Sequence, residues 1–288
     1  MEKIAIYLLI EGKDNVGHTY QWYNESNTTI SYEEEALKFI QAWRKNGGKY
    51  ANIDIHCICP TKAKISNKTR DALKSLDVHY VHLYFKQTEF YKCSWFNVPM
   101  VGAWLESTYG SKYDKLVHLD LDMTLLREPQ DVMFDIEDGC IAKVAKYDDD
   151  NVADKRHIVE EEEFAFNSVT CYTVSKPADK FFNTWWTTLQ LEAAKYLNKF
   201  PNFAEDKDQW RDYCDLEEHA VDVMYFKDNH AIDWVDGFMV GPGYTDTSKL
   251  DTIEAVEKIH FVHAHEFQDP AKYLGLYAKA KNNLMACV

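Results

Sequence analysis

Positive charge is scarce in this sequence: 32 Lys and Arg stand against 47 Asp and Glu, a formal net charge of −15. A surface of that sign repels a phosphate backbone, and no dense basic stripe with interleaved aromatics offsets it, so nucleic acid is not an expected partner. No run of about 18 apolar residues occurs, which argues against an integral membrane segment. The apolar stretch within MEKIAIYLLIEGKDN stops at Glu11 without a small-residue cleavage site, and it suits a first β-strand better than a secretory signal. Proline and glycine, 7 and 11 in the whole chain, are nowhere concentrated enough to mark a linker between domains. No internal repeat is visible. Cys57 and Cys59 form a C-x-C with no second pair to complete a zinc site, and the total of 7 cysteines is odd. Reduced thiols in a cytoplasmic protein are the expectation.

With 46% hydrophobic residues the chain can fill one large α/β core. Apolar and β-branched runs at 3–10, 53–59, 78–85, 115–121 and 140–145 predict strands, and helical patterns at 32–46 and 95–109 fall between them. Such alternation predicts an α/β fold with a largely parallel sheet in its first half. The second half is less regular: a strand near 164–174, helices near 178–197 and 215–226, and a strand near 257–263. Residues 11–31 and 147–163, the latter running from YDDD to EEEE, have the composition of solvated loops; a lid over a site is the alternative. Trp185 and Trp186, at helical spacing, read as core rather than as sugar-stacking platforms.

The chemistry concentrates in KLVHLDLDMTLL, residues 115–126. Side chains alternate across a strand, so His118, Asp120 and Asp122 share one face, and Leu119, Leu121 and Met123 the other. Two acids therefore meet at the strand's C-terminal end, where open α/β sheets bind ligands. Paired carboxylates repel unless a cation neutralises them, and Mn²⁺ or Mg²⁺ does so with oxygen ligands while leaving positions for phosphate oxygens. The alternative is an Asp-x-Asp that caps a following turn or helix.

The longer segment SKYDKLVHLDLDMTLLREP resembles the signature of the GT-A glycosyltransferases, most of all family 8, the group of glycogenin and the lipopolysaccharide galactosyl- and glucosyltransferases. Tyr113, Asp114, Lys115, Asp120, Asp122, Met123, Arg127, Glu128 and Pro129 occupy its places. MFDIEDGCIAKV is similar to the next family segment through Phe134, Asp135 and Gly139. FAFNSVTCYTVS resembles the Phe-Asn-x-Gly-Val segment, which implies that Asn167 holds the donor sugar; Val169 stands where the family has glycine. KIHFVHAHEF resembles the His-Phe-x-Gly segment and implies His260 as third metal ligand, with His263 in the glycine position. The Lys-Pro that follows in the family is missing, and Lys258 and Lys272 are the candidate substitutes. CDLEEHAVDVMYF is similar to acceptor-side segments of families 8 and 6, both of which place Glu217 beside the reacting sugar; an acid at a helix start is also ordinary. Tyr7 and Leu8, on the first strand, sit where GT-A enzymes begin to hold the nucleotide base.

The resemblance implies a single GT-A domain over 1–288, with a central mixed, largely parallel sheet flanked by helices. Residues 1–126 would form the nucleotide-binding half and 127–288 the donor-sugar and acceptor half. It implies a metal-dependent transferase that moves a sugar from a nucleotide-diphosphate donor, a UDP-sugar first, to a carbohydrate or glycoconjugate acceptor, with retention. Mn²⁺ or Mg²⁺ would sit on Asp120, Asp122 and His260. Two rivals stand. LDLDMT also fits a haloacid-dehalogenase-type phosphatase, with Asp120 as nucleophile, Asp122 as acid/base and Thr124 as a turn residue. That motif normally opens its domain, whereas three strands come first here, and no later Gly-Asp-x-x-x-Asp strand end follows. The other rival is a non-catalytic nucleotide-sugar-binding protein on the same fold.

Overall fold

A computed structural model describes residues 2–11, 32–85, 93–121, 123–146, 168–236 and 260–263. Its strands are β1 (Ile4–Leu9), β2 (Asp54–Cys59), β3 (His79–His82), β4 (Lys115–Leu119), β5 (Met123–Leu125), β6 (Ala142–Lys146), β7 (Ser168–Ser175), β8 (Ile232–Asp236) and β9 (Phe261–His263). The helices are α1 (Tyr32–Asn46), α2 (Asn67–Ser75), α3 (Asn97–Tyr109), the single turn α4 (Asp131–Phe134), α5 (Phe181–Lys199), α6 (Lys207–Cys214) and α7 (Leu216–Phe226).

Seven strands form one sheet in the order β3-β2-β1-β4-β7-β6-β8, and β5 pairs with β9 in a separate ribbon. From β3 to β4 the sheet is parallel; β7 runs antiparallel to both β4 and β6, and β8 lies parallel to β6. β1 is apolar at nearly every position because both faces of this central strand are covered. On one face Ile4, Ile6, Leu8, Val117 and Leu119 join Phe39, Ile40 and Trp43 of α1. On the other, Ala5, Tyr7 and Leu116 join Phe181, Phe182 and Trp185 of α5 and the apolar side of α7.

Two contacts fix the second layer. Gly102 lets α3 approach closely: a Cβ there would lie 2.4 Å from the Phe182 ring and 2.8 Å from the Tyr7 hydroxyl. The residue before α5, Lys180, has a left-handed φ of 52° and offers no side-chain cap. The buried Glu106 carboxylate of α3 supplies one instead, accepting bonds from Phe182 N and Asn183 N at 3.0 Å each and tying α3 to α5.

The strands and helices that periodicity predicts lie where they are expected, apart from the ends. Five elements are additional: α2, β5, α4, α6 and β8. In α2, NKTRDALKS, only Thr69 and Leu73 are buried, too few to print an apolar period; the helix starts because Ser66 accepts a bond from Thr69 N. β8, IDWVD, carries acids that give it the look of a loop. Residues 12–31 and 147–163, with the loop and lid readings placed on them, lie outside the described residues, as do Asp122 and Asn167. No described helix is long and apolar enough to cross a membrane. The described cysteines, Cys57, Cys59, Cys93, Cys140, Cys171 and Cys214, are all free thiols.

Candidate active site

Asp120 directly follows β4, and its N–H donates to Cys171 O at 3.1 Å, continuing the β4–β7 ladder past the end of the strand. Its carboxylate is 39% exposed, enough to meet a ligand, while His118 beneath it is buried. His118 Nε2 lies 3.1 Å from Asp120 Oδ1. The two share a face, as strand alternation requires, and Leu119 between them packs on the opposite side.

Under this strand end lies Glu217, in the first turn of α7. It is buried; Oε2 accepts from the Thr170 hydroxyl at 2.9 Å, and Oε1 has no partner among the described residues. Its main-chain carbonyl accepts from Trp185 Nε1 at 2.8 Å, so α5 pins α7 at this residue. Burial, then the nearby Glu218 and Asp120 carboxylates, push the Glu217 pKa well above the usual carboxylate range, against the Thr170 bond. Asp120 and Glu217, about a hundred residues apart in sequence, thus belong to one electrostatic site.

Thr170 reaches Glu217 through an irregularity in β7. Along β6, Val144 pairs with Thr173 but the next residue, Ala145, pairs with Val169. The residues of β7 between those partners bulge, and a bulge re-aims side chains that alternation would send elsewhere.

The structure moves two donor-side expectations. Leu8 is fully buried on the α1 face, opposite to Asp120, so its side chain has no route to a nucleotide. Tyr7 is on the Asp120 face but equally buried; its hydroxyl donates to Val98 O at 3.2 Å and its ring lies 4.9 Å from that of His118. Burial first, then Glu106, Glu217 and Asp120, hold its pKa well above the ordinary phenol value. It is a support under the site rather than a contact to the donor. The reason is the same for both: β1 is a central strand covered on both sides.

His260 directly precedes β9. β9 pairs antiparallel to β5 with Met123 opposite His263 and Leu125 opposite Phe261, and Leu126 N donates to His260 O. His260 therefore stands opposite Leu126, while His263 stands opposite Met123, which packs in the apolar core. Its Nδ1 lies 3.1 Å from Glu128 O. Its buried Nε2 has no partner among the described residues, which suits a ligand. Burial first, and the charge of Arg127, lower its pKa against the bond to Glu128 O. Among the described residues no three His, Cys, Asp or Glu side chains converge on a metal position, and Asp122 is not among them.

His118, Thr170 and Trp185 are the site residues that sequence reasoning passes over as ligands or supports. For His118 the signal was present, a polar residue in phase with two acids in an apolar strand. Thr170 depends on a bulge and Trp185 on a helix-to-helix contact, neither of which has a local pattern. Glu11 stands at the same edge of the sheet, two residues past β1, with its pKa pushed up to about 7 by burial.

Neither a protein-family model nor a curated protein sequence matches this chain. Solved structures do, and they define its class: the fold is GT-A, the nucleotide-diphospho-sugar transferase fold. One is the galactosyltransferase LgtC in complex with donor and acceptor sugar analogues, 9% identical, with a TM-score of 0.53 over 97% of this chain and 96% of that one. Another is an active-site mutant of LgtC, 10% identical, with a TM-score of 0.56 over 97% and 95%. Identity this low establishes the fold alone.

Proposed function

We propose that this protein is a glycosyltransferase that moves a sugar from a nucleoside-diphosphate donor, with a UDP-sugar as the first candidate, to a carbohydrate or glycoconjugate acceptor, with retention. The observation that carries this is the pairing of an exposed carboxylate, Asp120, with a buried one, Glu217, at the C-terminal end of a central GT-A strand. LgtC, whose structure holds donor and acceptor sugar analogues, shares the fold end to end.

The donor set suits a hard divalent cation. Asp120 brings a carboxylate to the strand end, and Asp122 adds a second two residues on. In our reading Asp120, Asp122 and His260 hold Mn²⁺ or Mg²⁺, the buried Nε2 of His260 being without a partner among the described residues. Such a cation, when bound, offsets the negative charge that grows on a departing diphosphate. Asn167 takes the donor sugar. Glu217 faces the reacting carbon, where a carboxyl oxygen stabilises the positive charge of an oxocarbenium-like sugar and the walls of α7 exclude water.

The test is a screen of nucleotide-sugars with Mn²⁺, read as release of the free nucleotide with and without candidate acceptors. Turnover of at least one donor that stops in excess chelator and returns with Mn²⁺ is the expected result. Release of inorganic phosphate from phosphomonoesters without nucleotide-sugar turnover would replace this reading with the phosphatase. Tight binding of a nucleotide-sugar without turnover would leave a binding protein.

A further inference from the structure

Asn97 Oδ1, like Glu217 Oε1, is buried with no hydrogen-bond partner among the described residues. The reaction outlined above uses the glutamate and gives the asparagine no part. Asn97 is the first residue of α3 and is 2% exposed. Its main-chain N–H donates to Ser94 O at 2.9 Å, so the backbone is satisfied and the side chain is not. A leucine would fill the same space without an unpaired oxygen, and a core residue has no reason to carry that cost. The amide calls for a partner that the described chain does not supply.

Its flanking residues place Asn97 at the site. β3 ends and α3 begins at the C-terminal edge of the parallel strands, the edge where Asp120 stands. On one side of Asn97, the Phe96 ring lies 5.1 Å from that of Tyr213 in α6. Cys93 is hydrogen-bonded to Cys214, the last residue of α6 and three positions before Glu217. On the other side, Val98 O accepts from the Tyr7 hydroxyl at 3.2 Å, and the charge of Glu217 reaches that phenol. Asn97 therefore stands between a residue that meets the α6–α7 turn and one that meets Tyr7 beneath the strand end.

The chemistry of the missing partner follows from the amide. Its oxygen needs a donor, which an ionised phosphate lacks, and the nearby Glu217 and Asp120 carboxylates repel anions. A sugar hydroxyl donates and accepts at once, so it satisfies the amide whichever way the group is turned. The first turn of α3 can yield to admit it, since Phe96 at the N-cap makes no side-chain capping bond.

We infer that Asn97 is a specificity-determining residue: its side-chain amide hydrogen-bonds a hydroxyl of a sugar held between the starts of α3 and α7. The inference rests on the transferase reading above and on no metal ligand.

The probes are UDP, UDP-glucose and UDP-galactose, methyl glucoside and methyl galactoside as acceptors, and the monodeoxy forms of each sugar. Asn97→Leu keeps the size of the side chain and removes its polar atoms. It should melt at or above the wild type and bind UDP within about 2-fold. Its affinity for the UDP-hexose, or its KM for the methyl hexoside, should weaken by about 10-fold or more, the worth of one buried hydrogen bond. The first result puts the hydroxyl on the donor, the second on the acceptor. The contact is direct if one deoxy sugar costs the wild type about 10-fold or more and costs Asn97→Leu almost nothing. Unchanged sugar recognition in the variant overturns the inference and leaves the amide to a water. A variant that melts lower and loses UDP as strongly as the sugar assigns Asn97 to packing and overturns it too. If the wild type turns over neither UDP-hexose, the transferase reading has failed without any substitution being made, and the inference falls with it. A measurement on the wild type guards against a variant that does not fold: the ¹⁵N side-chain amide signal of Asn97 should move when UDP-hexose or methyl hexoside is added to the UDP-bound protein. A signal that answers only to UDP would overturn the inference.

Discussion

The Thr170 hydroxyl donates a 2.9 Å hydrogen bond to Glu217 Oε2, joining a bulged strand to the first turn of a helix 47 positions away. That bond favours the charged carboxyl, whereas burial, Glu218 and Asp120 all favour the neutral one. Thr170→Val keeps the shape and removes the donor. Stability should fall by about 1–3 kcal/mol, the cost of leaving a buried acceptor unpaired. Denaturant unfolding checks it, and an unchanged midpoint would mean that another group satisfies Oε2.

The raised pKa of Glu217 also sets a pH signature. Its native carboxyl holds the proton more tightly than the unfolded one, so its favourable contribution is complete below the unfolded pKa of about 4.3 and is lost as pH rises through the native value. Glu217→Gln is neutral throughout. Without metal or nucleotide it should melt above the wild type at pH 8, and the difference should close near pH 4. Calorimetric melting across that range decides the matter; a gap independent of pH would show that the native carboxyl is not strained by charge.

The same variant separates chemistry from binding. Glu217→Gln should lower sugar transfer by roughly 10²-fold or more, the scale of losing an electrostatic group at a reacting centre. UDP affinity with Mn²⁺ should stay within a few-fold. Normal transfer would reduce Glu217 to a buried helix-start acid.

The two histidines of the β5–β9 ribbon should part company. His260 is buried with Nδ1 at the Glu128 carbonyl and Nε2 without a partner among the described residues, so His260→Ala should weaken Mn²⁺ binding by at least about 10-fold, the loss that even an outer partner gives. His263→Ala, at the position opposite Met123, should leave Mn²⁺ binding nearly intact. Paired titrations of the two variants with Mn²⁺ and UDP test this, and the reverse pattern would make His263 the ligand.

Much of the fold is legible in the sequence because periodicity is a local property. A strand buried on both sides, such as β1, must be apolar throughout, and a core helix such as α1 must repeat its apolar residues every turn. Strand alternation alone places His118 and Asp120 on one face. α2 and β8 escape because each buries too little to leave a pattern.

The site divides along the same line. One carboxylate at the end of an apolar strand can be read from KLVHLDLD. That Tyr7 and Leu8 are sealed in the core depends on what covers β1 from distant helices. His260 and His263 look alike until a register is chosen, and the pairing of β9 with β5 sets His263 opposite Met123 and His260 opposite Leu126. Glu217 gains its raised pKa only when α7 is laid beside the end of β4 and water is removed, since desolvation and the field of Asp120 exist only in the packed state. Sequence determines the elements and the residue types at their ends; only tertiary structure decides which of those ends meet, because meeting is a matter of long-range packing that no local pattern encodes.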